Sequence, residues 1–143
     1  MNRPETTSVC ATAANGTILR SKRYLHAAYN DAAGVTAKFK LNILRRINRE
    51  LGATFDLSKF RHRAFFNDEA GRIEMHLESV CAQQVVVDGV TIDVERGETI
   101  HTECSYKYEE ERLDSVVRAA GFEVRKLWTD ANHWFWVGFL SPI

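Results

Sequence analysis

YNDAAGVTAKFKLNILRRINRELG, residues 29–52, is the stretch on which the architecture turns. Within it Val35, Phe39, Ile43, Ile47 and Leu51 recur at every fourth position, and Leu44 widens the apolar stripe. That spacing predicts an amphipathic helix, and Gly52 stands where a left-handed cap residue closes one. At its start Asn30 or Asp31 can cap, because a short side-chain oxygen accepts from the first free backbone N–H groups. Upstream, Ile18 to Tyr29 reads as a short helix or an extended lead-in; if helical, it sets Leu25 and Tyr29 on one side.

Downstream the apolar period changes from helical to alternating. Phe55 to Phe60 reads as a loop or short helical turn, Arg61 to Phe66 as a strand, and 67–71 as a turn. Arg72 to Val80 sets Ile73, Met75 and Leu77 on one face against Glu74, His76 and Glu78, the pattern of a half-buried strand. Two β-branched runs flank Asp88-Gly89, a tight hairpin signal. Thr99 to Tyr108 alternates again, with Ile100, Cys104, Tyr106 and Tyr108 opposite His101, Glu103, Ser105 and Lys107. Glu110 to Ala120 forms a second amphipathic helix, ended by Gly121, and two strands, Phe122 to Trp128 and Trp134 to Leu140, close the chain. The expected fold class is therefore α+β: a mostly antiparallel sheet, two amphipathic helices and a C-terminal β-hairpin. Residues 1–24, opening on a polar stretch, are expected to be a flexible segment before a folded part spanning 25–143.

Composition excludes several function classes. Lysine plus arginine and aspartate plus glutamate are 19 each in 143 residues, so no positive surplus marks a partner for nucleic acid or an anionic membrane. No apolar run reaches membrane-spanning length. Three cysteines, Cys10, Cys81 and Cys104, form no CxxC pair, and free thiols imply a reducing, cytoplasmic setting. The five histidines show no metal-ligand spacing and no motif pairing them with a nucleophile, so neither a metal site nor hydrolase chemistry is expected. Trp128, Trp134, Phe135 and Trp136 make an aromatic end suited to a core or an interface.

Some positions carry recognition chemistry beside a plainer reading. Glu103 and Ser105, two apart on a strand, share a face. There they serve either as a solvated polar face or as a converging pair, the carboxylate taking a ring N–H and the hydroxyl the other ring nitrogen. Tyr29 is either a packing residue with a hydrogen-bonded tip or a phenol donor to an anion near a helix N-terminus. Thr36 reads as helix surface, and Met75 as a gap-filling core methionine.

Four motifs in fixed order, AAYNDAAGVTAKF, NRELGATFDL, RIEMHL and HTECSYKY, make the span from about Leu25 to about Leu140 resemble one known family. It resembles the C-terminal portion of histidine-specific, S-adenosylmethionine-dependent methyltransferases, which trimethylate the α-amino group of histidine on the route to ergothioneine. The resemblance implies that the last two strands form the edge hairpin of a class I methyltransferase fold. It also implies that Glu103 and Ser105 bind the substrate imidazole, Tyr29 and Thr36 the amino-acid end, and Met75 packs on the substrate. No catalytic residue is implied.

In that family the methyl donor sits on a glycine-rich turn before the region of Tyr29, and here no Gly-x-Gly follows a strand. The expectation is a substrate-recognising portion, binding histidine or a related amino acid or amine, with no donor site and no activity alone. The alternative is a non-catalytic binding or oligomerisation module derived from that fold. Because the final hairpin would lack a neighbouring strand, a homo-oligomer or a separate donor-binding chain is expected to cover its edge.

Overall fold

The computed structural model describes the backbone of residues 9–14 and all of residues 22–143. Among the described residues helices α1 (Lys22–Tyr29), α2 (Val35–Leu51) and α3 (Glu110–Ala119) accompany eight strands. These are β1 (Val9–Ala14), β2 (Phe60–Asn67), β3 (Arg72–Ser79), β4 (Gln83–Val87), β5 (Val90–Val94), β6 (Thr99–Tyr106), β7 (Phe122–Thr129) and β8 (Phe135–Pro142). The class is α+β, with antiparallel pairing and a C-terminal hairpin, as the alternating segments predict. Among the described residues no helix is long and apolar enough to cross a membrane.

The chain divides into two compact units, so the span 25–143 is shared between them. One holds β1, α3, β7 and β8 together with residues 69–71. Its sheet runs in the order β1-β8-β7, and α3 lays Leu113 and Val117 on Trp136 and Leu140, flanked by Val124 and Leu127. Trp136 and Leu140 alternate with Phe135 and Phe139, which stand exposed on the opposite face. The bulge between Val124 and Lys126 restores the phase that lets Leu127 follow Val124 inward.

Two expectations change in this unit. Residues 9–14, within the segment expected to be flexible, form β1; residues 1–8 and 15–21 lie outside the described ones. β1 pairs antiparallel with β8 from Val9↔Leu140 to Ala14↔Phe135, so the hairpin edge expected to stand open is paired within the chain. Local reading missed β1 because Val9-Cys10-Ala11-Thr12-Ala13-Ala14 has small residues and no alternation; β8 supplies the order through its ladder.

The other unit comprises residues 23–68 and 72–105. β2, β3 and β6 form one sheet in that order, and β4–β5 a separate hairpin. Asp88 and Gly89 both take positive φ, 49° and 76°, as its two-residue turn requires. The core gathers Leu44 of α2, Phe60 of β2, Leu77 of β3, Val85 and Val94, with Ile47, Phe55 and Ile100 against it.

α2 has the expected bounds and the expected left-handed Gly52, but not the expected buried face. Lys40 and Leu44 are buried, whereas Val35, Phe39 and Leu51 are 65%, 67% and 55% exposed. Four residues turn an α-helix roughly 40° past a full turn, so a strict every-fourth stripe winds about 160° around α2 from Val35 to Leu51. The core takes the strip through Leu41, Leu44 and Ile47 instead.

Candidate functional site

Tyr29-Asn30-Asp31 joins α1 to α2, and its side chains fasten three different elements. The Tyr29 hydroxyl hydrogen-bonds the Ser105 hydroxyl of β6 at 2.8 Å, and its carbonyl accepts from His62 Nε2 at 2.8 Å. The Asn30 amide donates to the Ala64 carbonyl at 2.9 Å and accepts from the Ala64 N–H at 3.1 Å, pairing with edge strand β2 as a further strand would. Asp31 caps α2, accepting from Val35 N at 2.8 Å and Thr36 N at 2.9 Å. Of the two expected caps it is Asp31 that serves. Hydrogen bonds from the Thr36 side chain and the Thr36 and Val35 N–H groups hold its carboxyl at about 2, well below the ordinary range.

These ties shape a groove of about 320 Å³, lined by Ala28, Tyr29, Val35, Thr36, Phe39, Lys40, Met75 and Glu103. Tyr29, Thr36, Met75 and Glu103, chosen from the sequence, are thus brought together on one wall set. Ser105 joins them through the Tyr29 hydroxyl rather than as a wall. Tyr29 is the last residue of α1, not the flank of a helix N-terminus, so its phenol is aimed by Ser105 and not by a helix dipole. Met75 is buried, and its carbonyl accepts from the Thr102 hydroxyl at 2.8 Å. The exposed Val35 and Phe39 give the groove an apolar side.

Strict alternation along β6 breaks. His101 stacks on His76 (ring centroids 4.6 Å, 8° between planes), while Glu103 shares the groove with Met75. His76 and Met75 point to opposite faces of β3, so β6 changes phase between His101 and Glu103. A second departure follows at the strand's end, where Lys107 is buried and Tyr106 is exposed, the reverse of the expected sides.

Sequence reading missed Lys40. Its side chain is 3% exposed and ion-paired with Glu103, itself 50% exposed. The ammonium also lies 5.3 Å from the centroid of the Phe39 ring. Lysine is almost never so buried without a partner. A helical wheel with the corrected face would have flagged it, since Lys40 falls between Ile47 and Leu44 on the core side.

On the far face of β3, Glu74, His76 and His101 offer ligand atoms within 4.8 Å of one another. The stacked rings direct their in-plane lone pairs past each other, and Arg72 and Asn67 occupy Glu74 Oε1 at 2.7 and 3.0 Å. The geometry is that of a polar network. Arg72 foremost, with Asn67 and His76, holds the Glu74 carboxyl at about 2 against the opposing pull of burial. His101 Nε2 also lies 3.2 Å from Cys104 Sγ, but at the same distance from the Glu103 carbonyl, which claims its proton.

The donor expected for this fold would need a glycine-rich turn between a strand and a helix, with backbone N–H groups open to it. β6 passes into α3 through Lys107-Tyr108-Glu109, without a glycine, and the other left-handed glycines of the described residues sit in turns and helix ends.

In this α+β fold with its terminal antiparallel hairpin, the groove joins a carboxylate, a phenol hydrogen-bonded to a serine hydroxyl, and an apolar side. The chain belongs to the family of SAM-dependent, histidine-specific methyltransferases, whose pattern it matches over residues 17–142. It is 44% identical over 105 residues to histidine N-alpha-methyltransferase of Mycolicibacterium smegmatis (strain ATCC 700084 / mc(2)155). The enzyme of the same name from Mycobacterium tuberculosis (strain CDC 1551 / Oshkosh) is 42% identical over 105 residues. Each match covers 72% of this chain and 33% of the relative, so the chain spans about a third of the length of these curated relatives.

Proposed function

We propose that this polypeptide is the amino-acid-recognising portion of a histidine Nα-methyltransferase-like protein. Glu103 and Ser105 hold an imidazole-like ring, Tyr29 and Thr36 at the start of α2 meet the amino-acid end, and Met75 packs on the substrate. The observation that carries this reading is the single groove shared by Tyr29, Thr36, Met75 and Glu103, with Ser105 2.8 Å from the Tyr29 hydroxyl. Methyl transfer needs amine, methyl and sulfonium aligned in a dry site. The 143-residue polypeptide on its own is accordingly expected to bind its substrate without methylating it. In this reading it serves histidine trimethylation toward ergothioneine in the cytoplasm, together with donor-binding structure supplied from elsewhere.

Calorimetric titration with histidine and its Nα-methylated forms tests this. Saturable binding, weakened at least tenfold in Ser105→Ala and in Tyr29→Phe with unchanged thermal melts, is the expected result. No saturation in the unmodified chain would favour the rival, a non-catalytic module that kept the fold. The rival draws support from one feature, the Lys40 ammonium already paired with the groove's carboxylate.

A further inference from the structure

Lys40 lines the groove from the buried side of α2 and takes Glu103 Oε2 as its partner, so Oε1 is the oxygen that a ligand would use. A lone carboxylate in a half-apolar groove favours a protonated ring. A carboxylate already neutralised by a buried ammonium does not, because an imidazolium would then bring an uncompensated charge beside Val35, Phe39 and Met75. A neutral imidazole presents one N–H and one lone pair. The N–H meets Glu103 Oε1, and the lone pair accepts from the Tyr29–Ser105 hydroxyl pair, in which either oxygen can be donor.

We infer that Lys40 is a specificity-determining residue, which makes the groove select amino acids bearing a neutral N–H heteroaromatic ring over the protonated form. The inference rests on the amino-acid-recognition reading above and deepens it. Among the described residues the ionisable groups lining the site are Tyr29 from α1, Lys40 from α2 and Glu103 from β6, while β3 contributes the uncharged Met75. Asp31 stands behind Thr36, His62 of β2 bonds the Tyr29 carbonyl, and His101 bonds the Glu103 carbonyl. Both histidines border the site through backbone carbonyls, so a control ligand separates the protein's response to pH from the ligand's.

The full chain is titrated calorimetrically with histidine and with 1,2,4-triazolylalanine, whose ring keeps an N–H but stays neutral, at about pH 7.5 and about pH 5.5. With an imidazole protonating near 6.5, selection of the neutral ring lowers histidine affinity about tenfold across that interval. Triazolylalanine affinity is expected to stay level, which assigns the fall to the ligand's ring rather than to His62 or His101. In Lys40→Met histidine affinity is expected to hold or rise toward the lower pH, while Lys40→Arg keeps the fall. Equal pH slopes in the unmodified chain and Lys40→Met, with melts showing both folded, would overturn the role of Lys40 while leaving amino-acid recognition standing. Failure of both ligands to saturate the unmodified chain at either pH would overturn recognition and this inference together.

Discussion

At the scale of single residues, Lys40 and Glu103 are bound to one another in folding as well as in recognition. Removing the Glu103 carboxylate strands a buried ammonium. A fully buried pair loses about 3–5 kcal/mol when one partner is deleted, and the half-exposed Glu103 lowers the expected cost of Glu103→Ala to about 2 kcal/mol. Lys40→Met with Glu103→Ala should recover most of that loss, which urea denaturation of the single and double variants measures. A simple loss of ligand binding in Glu103→Ala is therefore ambiguous unless stability is followed alongside. Asn30 carries a comparable burden. In Asn30→Ala both the N–H and the carbonyl of buried Ala64 lose their partner, at about 2 kcal/mol.

Acid acts through Glu74 and Asp31. Both carboxyls are held at about 2 in the folded chain, from ordinary values of 4.5 and 3.8. A depressed folded pKa gives stability that is complete above the unfolded value and lost as pH falls toward the folded one. Melting temperature is thus expected to drop between about pH 4.5 and 2, and Glu74→Gln should flatten part of that drop while lowering stability at neutral pH. An acid profile in Glu74→Gln identical to that of the unmodified chain would contradict the assignment.

Among elements, legibility followed the range of the forces that form them. α2, the Asp88-Gly89 hairpin, α3 and the closing strands announce themselves through local period and turn chemistry, and their bounds match closely. What sequence could not give is what distant partners decide. β1 exists through its ladder to β8; the core-facing side of α2 is chosen by β2 and the β4–β5 hairpin; and β6 slips phase so that His101 and Glu103 part company. The site was half legible for the same reason. Of the residues the motif order singles out, Tyr29, Thr36, Met75 and Glu103 line one groove and Ser105 bonds Tyr29, whereas Lys40 and the clamping roles of Asn30 and Asp31 emerge only when strands and helices are assembled. At this scale Trp136→Ala tests whether α3 and the β1-β8-β7 sheet melt as one body. It empties the centre of their core, at about 3–5 kcal/mol, and amide exchange should rise across α3, β7 and β8 together.

For the whole molecule, the question is what stands beside this polypeptide when it works. Incubation of the chain alone with histidine and methyl donor is expected to yield no trimethylhistidine by mass spectrometry beyond the uncatalysed background. Formation at ordinary enzyme rates would remove the proposal that the donor must come from other structure. Self-association remains expected, now through the exposed Trp128, Phe135 and Phe139 face rather than through an open strand edge. Sedimentation velocity at micromolar concentration checks it, a monomer being the contrary result.

The tripeptide Tyr29-Asn30-Asp31 behaves as a three-way splice, one residue for each of β6, β2 and α2. Its tolerance to change in length should be nil. One inserted residue would leave at most two of the three moorings in reach, whereas the solvent-facing tip at Asp88-Gly89 could absorb the same insertion with little effect. Spacing here, more than the identity of any one side chain, sets what variation the chain can survive.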